Sequence, residues 1–104
     1  MQLSTTDTIA GKTIVKQFGL VRGNTIRARS IGRDIMAGLK NVVGGEISEY
    51  TKLMAESREQ AIDRMKENAK EMGANAIVGI RFSTSEVMQH AAEILVYGTA
   101  VVVE

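Results

Sequence analysis

Two glutamates, Glu46 and Glu49, stand three residues apart directly after the pair Gly44-Gly45. Residues at this spacing are neighbours on a helix surface, so both carboxylates could reach one hard cation. Two ligands do not complete a site, although copies of the chain around a symmetry axis could supply the others. The same glutamates also suit the first turn of a helix, where negative charge favours the helix dipole without any metal.

His90 is the single histidine of the chain, and Glu86 and Glu93 lie close to it in the sequence. These residues form a second candidate metal site. Transition-metal sites generally use three or four protein ligands, whereas this group offers one imidazole and two loosely spaced carboxylates. A solvated histidine in a loop between two strands is the competing interpretation.

Arg58 falls close to the middle of the apolar stripe that Met54, Ala61 and Met65 form on a predicted long helix. An unpaired buried guanidinium is strongly unfavourable, so this side chain must reach water or meet a carboxylate. We expect a structural ion pair, which a neighbouring subunit could complete. Ligand binding is the alternative role.

The remaining polar residues indicate no reaction. The chain has no Cys, which excludes a cysteine nucleophile and thiolate metal sites and is typical of a reducing cytosol. One histidine and serines without a nucleophile turn do not assemble a Ser-His-Asp triad. An enzyme with an active site between subunits is therefore the most distant of the functions that we consider.

A long helix and several strands must position these residues within one α+β domain spanning 1–104. The helix is predicted over 46–72, because apolar residues recur on one face and Gly73 follows as a C-terminal cap. Gly23-Asn24 indicates a turn after the first strand, and a short helix is expected to start near Ser30. Strands are predicted over segments rich in β-branched residues, namely 13–22, 75–84 and 93–103.

The last predicted strand is apolar on both of its faces. Its side chains alternate between two sets, Ile94, Val96, Ala100 and Val102 on one face and Leu95, Tyr97, Val101 and Val103 on the other. One helix can cover only one face of a small sheet. We therefore expect a second copy of the chain to cover the other face, which makes the protein a homo-oligomer.

Charge and hydropathy limit the partners of the chain. Its 13 Lys and Arg residues and 12 Asp and Glu residues give a formal net charge of +1. This charge is too small to drive nucleic-acid binding through the phosphate backbone. No stretch approaches the length of a membrane span, and the first residues do not resemble a signal peptide. We therefore expect a cytoplasmic protein without a nucleic-acid or membrane partner.

Three segments, GGEISEYTKLMAESREQAIDRM, KEMGANAIVGIRFSTSEV and EILVYGTAVVV, resemble the YbjQ-like family of uncharacterised bacterial and archaeal proteins. That family carries a heavy-metal-binding label. The resemblance implies a β-α-β-β subunit similar to dodecin, with one long amphipathic helix packed on an antiparallel sheet and five chains in a ring. It covers the chain from the first predicted strand to the C-terminus.

The resemblance also marks residues on which a shared site would draw. The best-matching positions are Gly44, Gly45, Glu46, Glu49, Tyr50, Arg58, Gly73, Asn75, Arg81, Tyr97 and Gly98. Of these, Tyr50, Arg58, Arg81 and Tyr97 are expected to pair with other groups or to lie at a subunit interface. The lack of Cys and the single His depart from the label, so carboxylates, Met or symmetry-repeated positions remain as metal ligands. The cofactor stays unknown, with such an ion or an unidentified small ligand as the candidates.

Overall fold

The computed structural model describes residues 1–27, 48–88 and 91–104. Its elements are, in chain order, β1 Gln2–Leu3, β2 Ile14–Arg27, α1 Ser48–Met72, β3 Ala76–Met88 and β4 Ala91–Val103. The strands form one sheet in the order β1-β3-β4-β2. β2 and β3 both pair antiparallel with β4, whereas β1 pairs parallel with β3. The predicted antiparallel sheet is therefore a mixed one, and the short helix predicted near Ser30 lies outside the described residues.

The long helix α1 forms because its sequence is rich in Ala, Glu, Lys, Arg and Met and contains neither Gly nor Pro. Its end after Met72 agrees with the prediction. The N–H of Gly73 donates to the Lys70 carbonyl and that of Ala74 to the Ala69 carbonyl, both at 3.0 Å. With Gly73 at φ +95°, this is a Schellman motif, which glycine adopts without steric cost. No helix of the described residues is long and apolar enough to cross a membrane.

α1 packs against one face of the sheet, and mainly against β2. A buried line of small and apolar side chains faces the strands, consisting of Ser57, Ala61, Met65 and Ala69. Two polar side chains on the same helix reach β2 beside this line. Arg64 Nη1 donates to the Asn24 carbonyl at 2.6 Å, and Asn68 Nδ2 donates to the Arg22 carbonyl at 2.8 Å. These bonds hold α1 over β2, which is an edge strand of the sheet.

The turn predicted at Gly23-Asn24 is wrong, because β2 continues through both residues to Arg27. Gly23 pairs with Val96 and Asn24 with Leu95, so the ladder to β4 is unbroken here. Gly23 is needed for another reason: a Cβ at this position would collide with the backbone of Ala61 and Met65. The glycine thus permits close approach of α1 and does not reverse the chain.

The expected alternation of β4 is present, but a partner is not required to cover all of its second face. Val101 and Val103 are buried together with Ala76 and Val78 in a small cluster on the side away from α1. Ile9 and Ile14 pack against this cluster, so residues of the same chain cover it. The expectation that another subunit covers this half of β4 is therefore wrong, since Ile9 of the N-terminal segment and Ile14 at the start of β2 pack against it.

Candidate functional site

The face of the sheet opposite α1, termed here the outer face, carries a row of three side chains in register. Arg22 of β2 and Arg81 of β3 each pair directly with Tyr97 of β4. Directly paired residues project from the same face, so the three side chains stand side by side across the strands. Two strand spacings separate the Cα atoms of the two arginines by about 10 Å. We call these residues the Arg–Tyr–Arg row.

The row presents N–H and O–H donors on an open surface. Arg22 and Arg81 are exposed, and Tyr97 is 36% exposed. Arg81 is anchored at one end, because its Nη1 donates to the carbonyls of Thr5 and Ile80, at 2.8 Å each. Guanidinium groups bind planar anions through several parallel hydrogen bonds, and carboxylates fit them well. The row is therefore suited to hold acidic side chains or other small anions.

Glu93 lies on the outer face beside this row. Its Oε2 accepts a hydrogen bond from Asn24 Nδ2 at 3.1 Å. Glu86 is placed differently, since it pairs directly with Ala92 and Glu93 pairs with Ser85. Neighbouring positions along a strand project to opposite faces, so the two carboxylates point away from each other. One ion bound by a single chain could not use both.

The other predicted metal ligands are only partly placed. Glu49 and Tyr50 lie in the first turn of α1, whereas Glu46 and His90 lie outside the described residues. Within residues 1–27, 48–88 and 91–104, no three His, Cys, Asp or Glu residues form a group that could hold a metal. The donors of that part of one chain do not fit a heavy metal. The Glu46–Glu49 site and the pairing of His90 with Glu86 or Glu93 stay predictions.

Arg58 falls on the apolar stripe of α1 by its spacing but is exposed, so its side chain reaches water, which is one of the two outcomes expected for it. Ser57 occupies the buried position instead and is 0% exposed. Its Oγ donates to the Leu53 carbonyl at 2.9 Å, and its carbonyl accepts from Thr25 Oγ1 at 3.3 Å. An ion pair of Arg58 with a neighbouring subunit stays a prediction.

The side of α1 that faces away from the sheet carries a shallow groove with three carboxylates. Its lining residues are Ala55, Glu56, Glu59, Gln60 and Asp63. The three acidic side chains are exposed, and Ala55 leaves space between them. We call this surface the helix groove. Its acidic residues follow a spacing of three and four that is visible in the sequence, although sequence reasoning did not single them out.

Sequence reasoning also missed Arg22, which lies within the predicted first strand but next to the supposed turn. Tyr97 and Arg81 were expected at an interface from the family resemblance alone. That the three residues form one row depends on the register of β2 and β3 against β4. Register is set by pairing between distant segments, so no local sequence signal could have shown it.

Comparison with known proteins identifies close relatives along the whole chain. The family YbjQ_1, described as "Putative heavy-metal-binding", matches residues 1–104. A UPF0145 protein of Dehalococcoides mccartyi is 60% identical over 104 residues, which is 100% of both chains. A UPF0145 protein of Methanosarcina acetivorans is 60% identical over 101 residues, covering 97% of this chain and 95% of that protein.

A solved structure shares the fold. It is a crystal structure of a protein of unknown function from Pediococcus pentosaceus that belongs to the DUF74 family. The two structures superpose with a TM-score of 0.62, and the match covers 100% of this chain and 98% of the other. Their sequences are 18% identical, so the similarity concerns the fold.

Proposed function

The chain belongs to the YbjQ_1 family, and we propose that it is a subunit of a cytoplasmic homo-oligomeric ring that holds a small ligand or an ion. Five copies is the ring size that the family resemblance implies. A ring repeats each side chain around its axis, so it can complete a binding site that one copy only begins. The absence of Cys supports a reducing compartment.

The apolar surface that one copy leaves exposed is the observation that carries this function. Leu20, Ile26, Phe82 and Val87 are between 48% and 66% exposed, and they lie on the two strands that flank β4. Leu20 and Ile26 project from the face of β2 that α1 does not cover, whereas Phe82 projects from the α1 side of β3. Exposed apolar side chains on both sides of the sheet are what contacts with more than one neighbouring copy would cover. The Cα radius of gyration is 16.9 Å. A compact chain of about 100 residues has a radius of gyration of about 13 Å, so the described part of the subunit is elongated.

The edge of β3 gives a second reason for assembly. β1 pairs with β3 only at Ala76 and Ile77, and the N-terminal segment then bonds β3 as far as Ile80. Beyond this point, from Phe82 to Val87, every side chain is exposed and no described strand pairs with β3 on that edge. Natural proteins cover or charge such edges to prevent uncontrolled pairing. A second copy at this edge would protect it.

Native mass spectrometry and sedimentation velocity of untagged protein test the ring. We expect a single species of defined mass, five chains in size, at micromolar concentration. Phe82→Lys should weaken assembly, because a charge then replaces an apolar contact. Ala10→Lys, at an exposed position away from that edge, is the matched control and should assemble normally. A discrete wild-type monomer at micromolar concentration would refute the proposal.

The alternative function is metal binding through carboxylate and histidine ligands, which the family description favours. Copies in a ring could bring together several glutamates from the start of α1, or His90 of each chain with Glu86 or Glu93. Carboxylates favour hard cations, whereas imidazole favours metals such as zinc.

Elemental analysis of protein purified without a tag, followed by titration with Mn²⁺ and with Zn²⁺ alone, tests the metal alternative. We expect Glu46→Gln/Glu49→Gln or His90→Ala to abolish stoichiometric binding, whereas Glu67→Gln on the exposed face of α1 should bind normally. Absence of stoichiometric metal from the wild-type ring after both titrations would exclude this alternative while leaving the ring itself intact.

A further inference from the structure

The helix groove and the Arg–Tyr–Arg row lie on opposite sides of one chain, because the sheet and the body of α1 separate them. The groove faces away from the sheet, whereas the row projects from the face that α1 does not cover. We propose that the helix groove of one copy docks across the Arg–Tyr–Arg row of the next copy. This contact rests on the proposed homo-oligomer and names the two surfaces that meet in it, and it is distinct from the β3 edge, because Phe82 projects from the other face of the sheet.

The chemistry of the two surfaces is complementary. The groove offers the carboxylates of Glu56, Glu59 and Asp63, which are acceptors with negative charge. The row offers two guanidinium groups and a phenol, which are donors, and two of them carry positive charge. Complementary charges of this kind favour the correct partner and orientation, because a mismatched contact would place like charges together.

The spacing of the backbone positions that carry the charges also agrees. The two arginines at the ends of the row are about 10 Å apart across two strand spacings. Glu56 and Asp63 are seven residues apart on α1. With a helical rise of about 1.5 Å per residue, they stand about 10.5 Å apart along the axis. A helix lying across the strands would therefore set one acid over the backbone position of each arginine, with Glu59 between them near that of Tyr97.

Apolar neighbours make the contact more than a set of exposed ion pairs, which by themselves contribute little. Leu20 lies two positions from Arg22 on β2 and is 66% exposed. Leu95 lies two positions from Tyr97 on β4 and is half-buried. On the helix side, Ala55 allows close approach between the acidic side chains. Docking would remove Leu20 from water and would partly exclude water from the charge pairs, which strengthens them.

The two docking surfaces are different patches of the chain, and this difference limits the symmetry of the assembly. A contact between two different patches of the same chain is heterologous, and repeating it produces a closed ring or an open filament. A two-fold dimer formed through one self-complementary patch would not use both surfaces. The proposed contact is therefore of the type that a ring requires.

Charge reversal and charge exchange test the pairing by sedimentation velocity and native mass spectrometry. Arg22→Glu should raise the dissociation constant between subunits about a hundredfold, because a carboxylate then faces the groove. Adding Glu56→Arg or Asp63→Arg to that variant should restore assembly, and the one that does so fixes the direction of the docked helix. Glu71→Arg is the control. It changes a negative charge to a positive one, as Glu56→Arg and Asp63→Arg do, but at a position on α1 beyond the groove. Circular dichroism and thermal melting confirm that each variant is folded.

The outcomes separate this contact from the proposed function. A wild-type monomer would overturn both. A wild-type ring that Arg22→Glu leaves intact would overturn the contact alone. If folded Arg22→Glu protein dissociates and neither exchange restores assembly, the groove is not the counterpart of the row. Restoration by one exchange, combined with normal assembly of the control, is the result that we expect.

Discussion

Replacing Gly23 with alanine tests the close packing of α1 on β2, and local propensity and tertiary structure predict opposite signs for its effect. Glycine in the middle of a strand is less favourable than alanine by about 0.5–1 kcal/mol, so propensity predicts a more stable variant. In the folded chain, however, the new Cβ would overlap the backbone of Ala61 and Met65 and lie 3.0 Å from Met65 Cα. Backbone cannot rotate away as a side chain can, so α1 must move.

The size of the stability loss follows from the packed contact between α1 and β2 that this movement would separate. Ala61, Met65 and Ala69 are each 0% exposed, and all three line the contact that would widen. Overpacking a core costs about 1–3 kcal/mol and occasionally more, and an obstacle formed by backbone belongs at the upper end of this range. After the gain from strand propensity is subtracted, we expect a net loss of about 2 kcal/mol in the free energy of unfolding.

Urea unfolding followed by far-ultraviolet circular dichroism measures this loss. Wild type and variants must be compared at one protein concentration, because assembly contributes to the apparent stability. Gln17→Ala, an exposed position on the same strand, is the matched control and should remain within about 0.5 kcal/mol of wild type. If Gly23→Ala is as stable as wild type or more so, α1 does not rest on β2 at this point and the described packing is wrong.

Two further substitutions test the ends of the elements. Asn75 exchanges hydrogen bonds of 2.9 and 2.8 Å with the backbone of Val103, so Asn75→Ala should lower stability by about 1–3 kcal/mol. Hydrogen exchange should then accelerate at the Val103 amide, and unchanged protection there would contradict the pairing. Gly73 has φ +95°, where a side chain is strained, so Gly73→Ala should cost about 1–2 kcal/mol, as measured by thermal melting. Melting at the wild-type temperature would contradict the Schellman cap.

Elements that depend on local composition were predictable from the sequence. The end of α1 agrees with the prediction because Gly73 stops the helix through its own backbone freedom. The strands β3 and β4 were located correctly, although each extends further than predicted toward the connection between them. β-branched and apolar residues specify such segments locally, whereas the point at which pairing stops depends on the partner strand.

The candidate site was less predictable than the fold. The Glu46–Glu49 pair and His90 drew attention because their residue types are typical metal ligands. The surfaces on which the proposed assembly rests instead involve arginines, a tyrosine and the polar face of a helix. Individually such residues are ordinary on protein surfaces, and only their placement beside one another distinguishes them.

The sequence by itself determined that this chain contains one long amphipathic helix and apolar strands, since propensity and periodicity act over a few neighbouring residues. Only the tertiary structure decided that Gly23 lies beneath α1, that Ile9 and Ile14 pack against Val101 and Val103 on the second face of β4, and that Arg22, Tyr97 and Arg81 stand in one row. These features depend on contacts between segments far apart in the chain. Such contacts are set by strand register and packing, which no local pattern encodes.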